Sequence, residues 1–220
     1  MPAGPRIALI HAVAQSVEPS NRAFAELWPA AKLANLLDDS LAADLTARGA
    51  LDDSFTKRFQ HLAHYAEHTG ARGILFTCSA FGRSIEAVKR ALSIPVLKPN
   101  EAALEAALKA GSRVALLATF ESTLPSMEQE LRKMAAARGA AVEITLRHVP
   151  GAFDALKSGD GARHDELIAE AAAAIGTLDA LVLTQFSMAR AARHIAPVPG
   201  RRVITTPASA VLRLKSLVLA

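Results

Sequence analysis

The chain has 220 residues, 51% of them hydrophobic and 21% charged, enough for one large or two small globular domains with a sizeable core. The formal charge is +4, yet basic residues stand beside acidic ones in helix-like stretches such as 86–90 and 128–133. No basic stripe interleaves with aromatics, so nucleic-acid binding is not expected. One cysteine excludes an intrachain disulfide and a cysteine-based metal cluster, and no apolar run reaches the roughly 18–20 residues of a membrane span.

Arg6 followed by the apolar run 7–14 superficially imitates a signal peptide. The same pattern returns at 113–119, deep in the chain, so 6–12 reads as a first strand and the protein as unexported and cytoplasmic. Short apolar runs bounded by turn residues follow at 32–37, 73–77, 95–97, 113–119, 142–149, 180–184 and 202–205. Helix-like stretches alternate with them at 20–28, 52–69, 84–92, 101–110, 123–138, 162–177, 189–195 and 209–218. Gly70 and Gly139 stand where left-handed C-caps belong, and Pro125 lies in a tolerated first turn. Strand–helix alternation predicts an α/β fold with parallel sheets.

The chain repeats itself. Arg6–Ile10 recurs as Arg113–Leu117, Ile74–Cys78 recurs as Leu181–Gln185, and Lys98-Pro99 recurs as Thr206-Pro207. The near-constant offset implies two pseudo-symmetric, Rossmann-like halves, each a four-stranded parallel sheet flanked by helices, facing each other across a cleft. The boundary falls near Pro99, giving a first half over 1–98 and a second over 99–207. The lone Cys78 ends one matched strand, and its counterpart is Gln185.

Ligands of open α/β sheets bind at the carboxyl ends of the strands. Those ends carry His11, Gln15 and Ser16; Asp38-Asp39-Ser40; Thr77-Cys78-Ser79; Thr119, Glu121 and Ser122; His148; Thr184-Gln185-Phe186-Ser187; and Thr205-Thr206. Cys78 is either a buried small hydrophobe or a reactive thiol. In the second case the amides of Ser79 to Phe81 and a helix N-terminus would favour a thiolate. Gln185 has no proton to exchange near neutrality, but its amide can donate to a carboxylate or oxyanion. Thr77, Ser79, Thr119, Thr184 and Thr206 are helix caps or a carboxylate cradle, two roles that can coexist.

His11 and His148 are candidate acid–base groups, set against the commoner structural role of a lone histidine. His64 and His68 have metal-pair spacing without an accompanying acidic motif, and read as a solvated helix face. Asp38-Asp39 reads as a cap rather than a metal or amine site. No Gly-rich phosphate loop is present, which argues against dinucleotide or NTP chemistry. Phe81, Phe120, Phe186 and Met188 are either pocket walls or helix packing.

These residues resemble the aspartate/glutamate racemase superfamily, which includes hydantoin racemases, maleate isomerases and arylmalonate decarboxylases. The likeness rests on the duplicated halves and on the wording Phe76-Thr77-Cys78-Ser79-Ala80. It implies a cofactor-independent enzyme working on a small carboxylate or carbonyl substrate, with no metal. It also implies that the last helix, 208–220, returns to the first half, and it is compatible with a homodimer or higher homo-oligomer.

Carried over residue by residue, Cys78 matches the first catalytic cysteine, and Gln185 stands where the second falls. Thr77, Ser79 and Thr119 match positions that hold the substrate carboxylate; Ala80, Thr184, Phe186, Ser187 and His11 fall beside them. Inversion of the centre would require His148 or His11 to replace the second thiol. Family decarboxylases use one cysteine, but in the second half. Three readings follow: isomerase or racemase chemistry at a carbon α to a carboxylate, a single-cysteine decarboxylase or lyase of a malonate-like acid, and a binding protein that has lost the chemistry.

Overall fold

The computed structural model describes residues 4–220; residues 1–3 of the expected first half lie outside the described residues. The chain forms two compact units, one running to Glu101 and joined by Ala210–Ala220, the other Ala102–Ser209.

In the first unit, β1 (Arg6–His11), β2 (Lys32–Leu37), β3 (Ala71–Phe76) and β4 (Val96–Leu97) form a parallel sheet in the order β2-β1-β3-β4. In the second, β5 (Arg113–Ala118), β6 (Glu143–His148), β7 (Ala180–Leu183) and β8 (Arg202–Thr205) repeat that order as β6-β5-β7-β8. The register repeats as well. Ala8 pairs with Ile74 and Ile10 with Phe76 in one sheet; Ala115 pairs with Leu181 and Leu117 with Leu183 in the other.

The central strands are uninterrupted apolar runs because both their faces are covered. In the second unit the two-residue period divides them. Val114, Leu116 and Val182 enter one core layer with Leu104 and Leu131, while Ala115, Leu117, Leu181 and Leu183 enter another with Ile168 and Met188. In the first unit the even-numbered Ala8, Ile10, Ile74 and Phe76 pack with Phe55, Phe59 and Phe81. The edge strands β2 and β6 are only partly covered.

The helices are α1 (Val17–Leu27), α2 (Ser40–Arg48), α3 (Asp53–His68), α4 (Gly82–Ala91) and α5 (Glu101–Ala110), then α6 (Leu124–Ala136), α7 (Ala152–Lys157), α8 (Gly161–Ala173) and α9 (Thr206–Leu219). Asp52 caps α3 by accepting from the Ser54 amide, and Asp160 caps α8 by accepting from that of Arg163. Gly70 (φ +86°) and Gly139 (φ +62°) are left-handed after their helices, as the stop pattern predicts.

The sequence reading assigns no element to α2 or α7. Both are short and enclosed by the punctuating residues Asp38-Asp39 and Gly49, or Pro150-Gly151 and Gly159. The helix expected at 189–195 is a 3₁₀ helix, Phe186–His194, starting directly after Gln185. The later part of α9 lies in the first unit against β3. A Cβ on Gly73 would stand 2.9 Å from Val218 and 3.1 Å from Leu214, and Lys215 Nζ donates to the Leu27 carbonyl at the end of α1.

Candidate active site

Cys78 follows β3 in extended conformation (φ −124°, ψ 120°) and leads into a 3₁₀ turn, Ser79–Phe81, before α4 starts at Gly82. Both flanks of this loop are held by one ring. Phe59 of α3 stacks on Phe76 at 5.1 Å and lies 4.9 Å from Phe81. Phe81 is fully buried, so its packing role is the one realised. Cys78 and Ser79 are half-buried and Ala80 is exposed.

The expected drive toward thiolate is reversed. Burial pushes the Cys78 thiol above its ordinary value, and the Ala80 amide, hydrogen-bonded to sulfur, opposes this only in part. The α-helix begins four residues downstream, and the intervening single 3₁₀ turn aligns too few peptide dipoles to offset desolvation.

Beside the cysteine lies a polar network centred on a buried histidine. His11 is fully buried. Its Nε2 is 3.0 Å from Asn35 Oδ1, and its Nδ1 is 2.9 Å from both Ser16 Oγ and Thr77 Oγ1. Asn35 Nδ2 donates to Asn21 Oδ1, which turns its Oδ1 toward His11 and makes Nε2 the protonated nitrogen. Ser16 donates its proton to the Val13 carbonyl, so the donor to His11 Nδ1 is Thr77. Burial lowers the His11 pKa, against a smaller raising effect from Asn35. His11 is therefore neutral near pH 7, with both ring nitrogens occupied inside its own unit. Asn21 and Asn35 are absent from the sequence reading. The one available signal was a polar residue inside the apolar run 32–37.

In the second unit Gln185 occupies the position matching Cys78, again extended (φ −118°, ψ 146°). Its Oε1 accepts from the Thr119 amide at 2.7 Å and from the Thr119 hydroxyl at 2.9 Å. Only a carbonyl can accept from two donors, so the amide orientation is determined and Nε2 is a donor. That Nε2 is buried and, among the described residues, has no acceptor. Thr184 donates to the Leu117 carbonyl at 2.6 Å; Thr77 approaches the Ile10 carbonyl, the equivalent group, at 3.4 Å. The hydroxyl protons of Thr77, Thr119 and Thr184 are thus committed within their own units. Thr206 is fully buried and its Oγ1 has no partner among the described residues.

Phe186 and Ser187 are buried. Met188 packs in the core, whereas Phe120 is 40% exposed and lies against Phe153 at 4.3 Å. His148 is half-buried, its Nδ1 3.8 Å from Glu121 Oε2. Asp38 neither caps nor ligates: both its oxygens accept from Arg58, at 2.8 and 2.6 Å, and Asp44 binds the same guanidinium. His64 faces solvent beside Glu67. Among the described residues no group of three His, Cys, Asp or Glu side chains could hold a metal ion, and no helix is long and apolar enough to cross a membrane.

Two sheets of identical strand order, each ending in a polar turn at matched positions, define a duplicated α/β protein. The sequence profile of the Asp/Glu/Hydantoin racemase family matches residues 12–214, and the chain belongs to that family. No curated protein sequence matches it. Among solved structures it is similar to an aspartate racemase homologue from Pyrococcus horikoshii OT3 (16% identity, TM-score 0.71), over 98% of this chain and 99% of that one. It is also similar to allantoin racemase from Klebsiella pneumoniae (19% identity, TM-score 0.69, 98% and 88% covered). A glutamate racemase isoform from Bacillus anthracis shares the fold at 13% identity (TM-score 0.70, 99% and 82% covered).

Proposed function

We propose that the chain is a cofactor-independent enzyme that moves a proton at a carbon α to a carboxylate, with Cys78 as its acid–base group. The observation that supports this reading is the placement of Cys78. It is a half-accessible thiol on a loop anchored at both flanks, at the carboxyl end of a central strand, in a member of a racemase family.

With the protons of Thr77, Thr119 and Thr184 committed elsewhere, Ser79 remains a donor beside Cys78 in the first unit, and Gln185 Nε2 remains a donor in the second. A single well-aimed donor to a developing oxyanion contributes about 3–4 kcal/mol. In the isomerase direction the thiol first gives its proton to solvent; the thiolate then takes the α-proton, leaving an enediolate, and protonation of the enediolate from solvent on its opposite face inverts the centre, while the S–H loses its proton to solvent again. Cytoplasmic location and homo-oligomerisation accompany this reading as expectations from the family.

One observation favours a second reading. Burial holds Cys78 protonated, which suits an acid better than a base, and Gln185 offers a donor but no exchangeable acid. Loss of CO2 from a malonate-like acid makes the enediolate without a base. The C–C bonding pair becomes the enediolate, Cys78 delivers its proton to carbon, and the thiolate is reprotonated from solvent.

The two readings separate in one assay. Amino acids, hydantoins, maleate and aryl-malonates are incubated with wild type and Cys78→Ala, and both product and CO2 are followed. Cysteine-dependent isomerisation without CO2 supports the first reading, and cysteine-dependent CO2 release supports the second. Full activity in Cys78→Ala contradicts both.

A further inference from the structure

The segment that follows Gln185 is unlike the one that follows Cys78. Cys78 leads into a single 3₁₀ turn and then into α4. Gln185 leads into a 3₁₀ helix of 9 residues, Phe186–His194. Runs beyond about three or four residues are uncommon, because the hydrogen-bond geometry is poorer than in an α-helix. The Met188 amide donates to the Gln185 carbonyl at 3.0 Å, so the first turn closes on Gln185 itself. In an α-helix the donor to that carbonyl would be the Ala189 amide. Contacts from outside the segment must therefore hold the tighter winding.

The core holds one row of it. Met188 and Ala191, three residues apart and so on one face, pack with Ile168 and Ala172 of α8. The adjacent row contains Ser187 and Arg190, and a buried charge grips it. Asp165 of α8 is 2% exposed. Both its oxygens accept from Arg190 Nε, at 2.9 and 3.0 Å, and His194 Nε2 stands 3.5 Å from Oδ2. Both of these pairs run to the 3₁₀ helix.

The same face of α8 makes room for the guanidinium. Gly161 lies four residues before Asp165 and shares its face. A Cβ there would stand 2.6 Å from both terminal nitrogens of Arg190. In the first unit the helices in the same topological places, α3 and α4, are joined differently. Thr56 and Ser84 share a hydroxyl hydrogen bond at 3.1 Å, and Arg83 and Asp53 form an exposed pair at 3.8 Å. A buried carboxylate grips the following helix on the Gln185 side, where the winding is the tighter one.

We propose that Asp165 is a positioning residue for Gln185, an inference that rests on the reading above in which Gln185 Nε2 serves the enediolate. Asp165 grips Arg190, holds the segment in its 3₁₀ winding, and so fixes how Gln185 leaves the end of β7. Without the carboxylate the segment relaxes from about 120° per residue toward the 100° of an α-helix. The Gln185 carbonyl then exchanges the Met188 amide for that of Ala189, and Nε2 shifts from its place.

The test is proton–nitrogen NMR of the full chain, wild type against Asp165→Asn and against the double variant Asp165→Leu with Arg190→Met. The double variant removes both charges, a replacement that buried ion pairs commonly tolerate, and it keeps the comparison open if Asp165→Asn fails to fold. The side-chain amide signals of Gln185, identified by their loss in Gln185→Met, are expected to shift in both variants. The Met188 amide is expected to exchange with solvent faster. Activity is followed on whichever of the amino acids, hydantoins, maleate and aryl-malonates wild type turns over. There kcat is expected to fall roughly 10–100-fold with KM nearly unchanged. Adding Asp165→Asn to Gln185→Met is expected to cost no further kcat, because the two act as one unit. The inference is overturned if the Gln185 and Met188 signals stay as in wild type in both variants, or if the loss in kcat adds in full to that of Gln185→Met. Equal kcat in wild type and Gln185→Met is a different failure: it removes Gln185 from the chemistry, and the NMR comparison still decides the tether.

Discussion

Thr119 gives both its backbone N–H and its hydroxyl proton to Gln185 Oε1, at 2.7 and 2.9 Å, and so presents Gln185 Nε2 as a donor with no partner of its own. Gln185→Met deletes that donor while roughly keeping the volume. If Nε2 serves the enediolate, kcat falls about 10²–10³-fold. Thr119→Val keeps the amide N–H and loses only the hydroxyl, a change of about 1 kcal/mol, so its effect is much the smaller. Equal kcat in Gln185→Met and wild type would remove Gln185 from the chemistry.

Gln185→Cys places a thiol where the likeness to the family's racemases leads us to expect a second cysteine. Racemisation, followed by chiral chromatography on a substrate that wild type exchanges, should appear or rise in this variant. An unchanged product enantiomer ratio would show that the second position does not deliver protons here.

Desolvation raises the pKa of the half-buried Cys78 thiol, so its thiolate is scarce at neutral pH. Alkylation by iodoacetamide should be slower than for a free thiol, whose pKa is about 8.5. The rate should keep rising with pH beyond that value, because the folded-state pKa lies above it. A rate that levels off below about pH 8 would mean that the thiolate is stabilised instead.

His11 works in the opposite direction. Its folded pKa lies below the ordinary value of 6.5, so the unfolded chain binds the proton more readily. The resulting stability is fully present above pH 6.5 and is lost as pH falls toward the folded pKa. Urea midpoints measured between about pH 5 and 8 should decline on the acid side for wild type and decline less for His11→Gln. Parallel profiles would contradict a buried neutral imidazole.

Phe59 anchors both flanks of the cysteine loop. Phe59→Ala removes a ring that is 2% exposed and touches Phe76 and Phe81, with an expected destabilisation of about 3–5 kcal/mol. Phe59→Leu should retain the fold and lose activity, because both flanks of the loop are then held by a smaller group. Thermal melts and activity on the same samples check both statements.

Much of the fold was legible because its signals are local. The strands 32–37 and 202–205 and the helix 101–110 coincide with the structure, each being an apolar or periodic run between turn residues. The duplication was legible because both halves keep the same strand order, with matched residues in matched register. What failed depends on distance or burial. Short helices such as Ala152–Lys157 hide among Pro and Gly. The link from Asn21 through Asn35 and His11 to Thr77 joins residues up to 66 positions apart. The sign of the Cys78 shift depends on how deeply the loop is buried, which residue types near it do not reveal.

The central claim is that Cys78 exchanges a proton with a substrate α-carbon. The most direct measurement is proton NMR in D2O of wild type against Cys78→Ser, over amino acids, hydantoins, maleate and aryl-malonates. The account predicts that at least one compound gains deuterium at its α-carbon with wild type, and that the rate with Cys78→Ser falls to background. Deuterium uptake at the same rate in both proteins would contradict it.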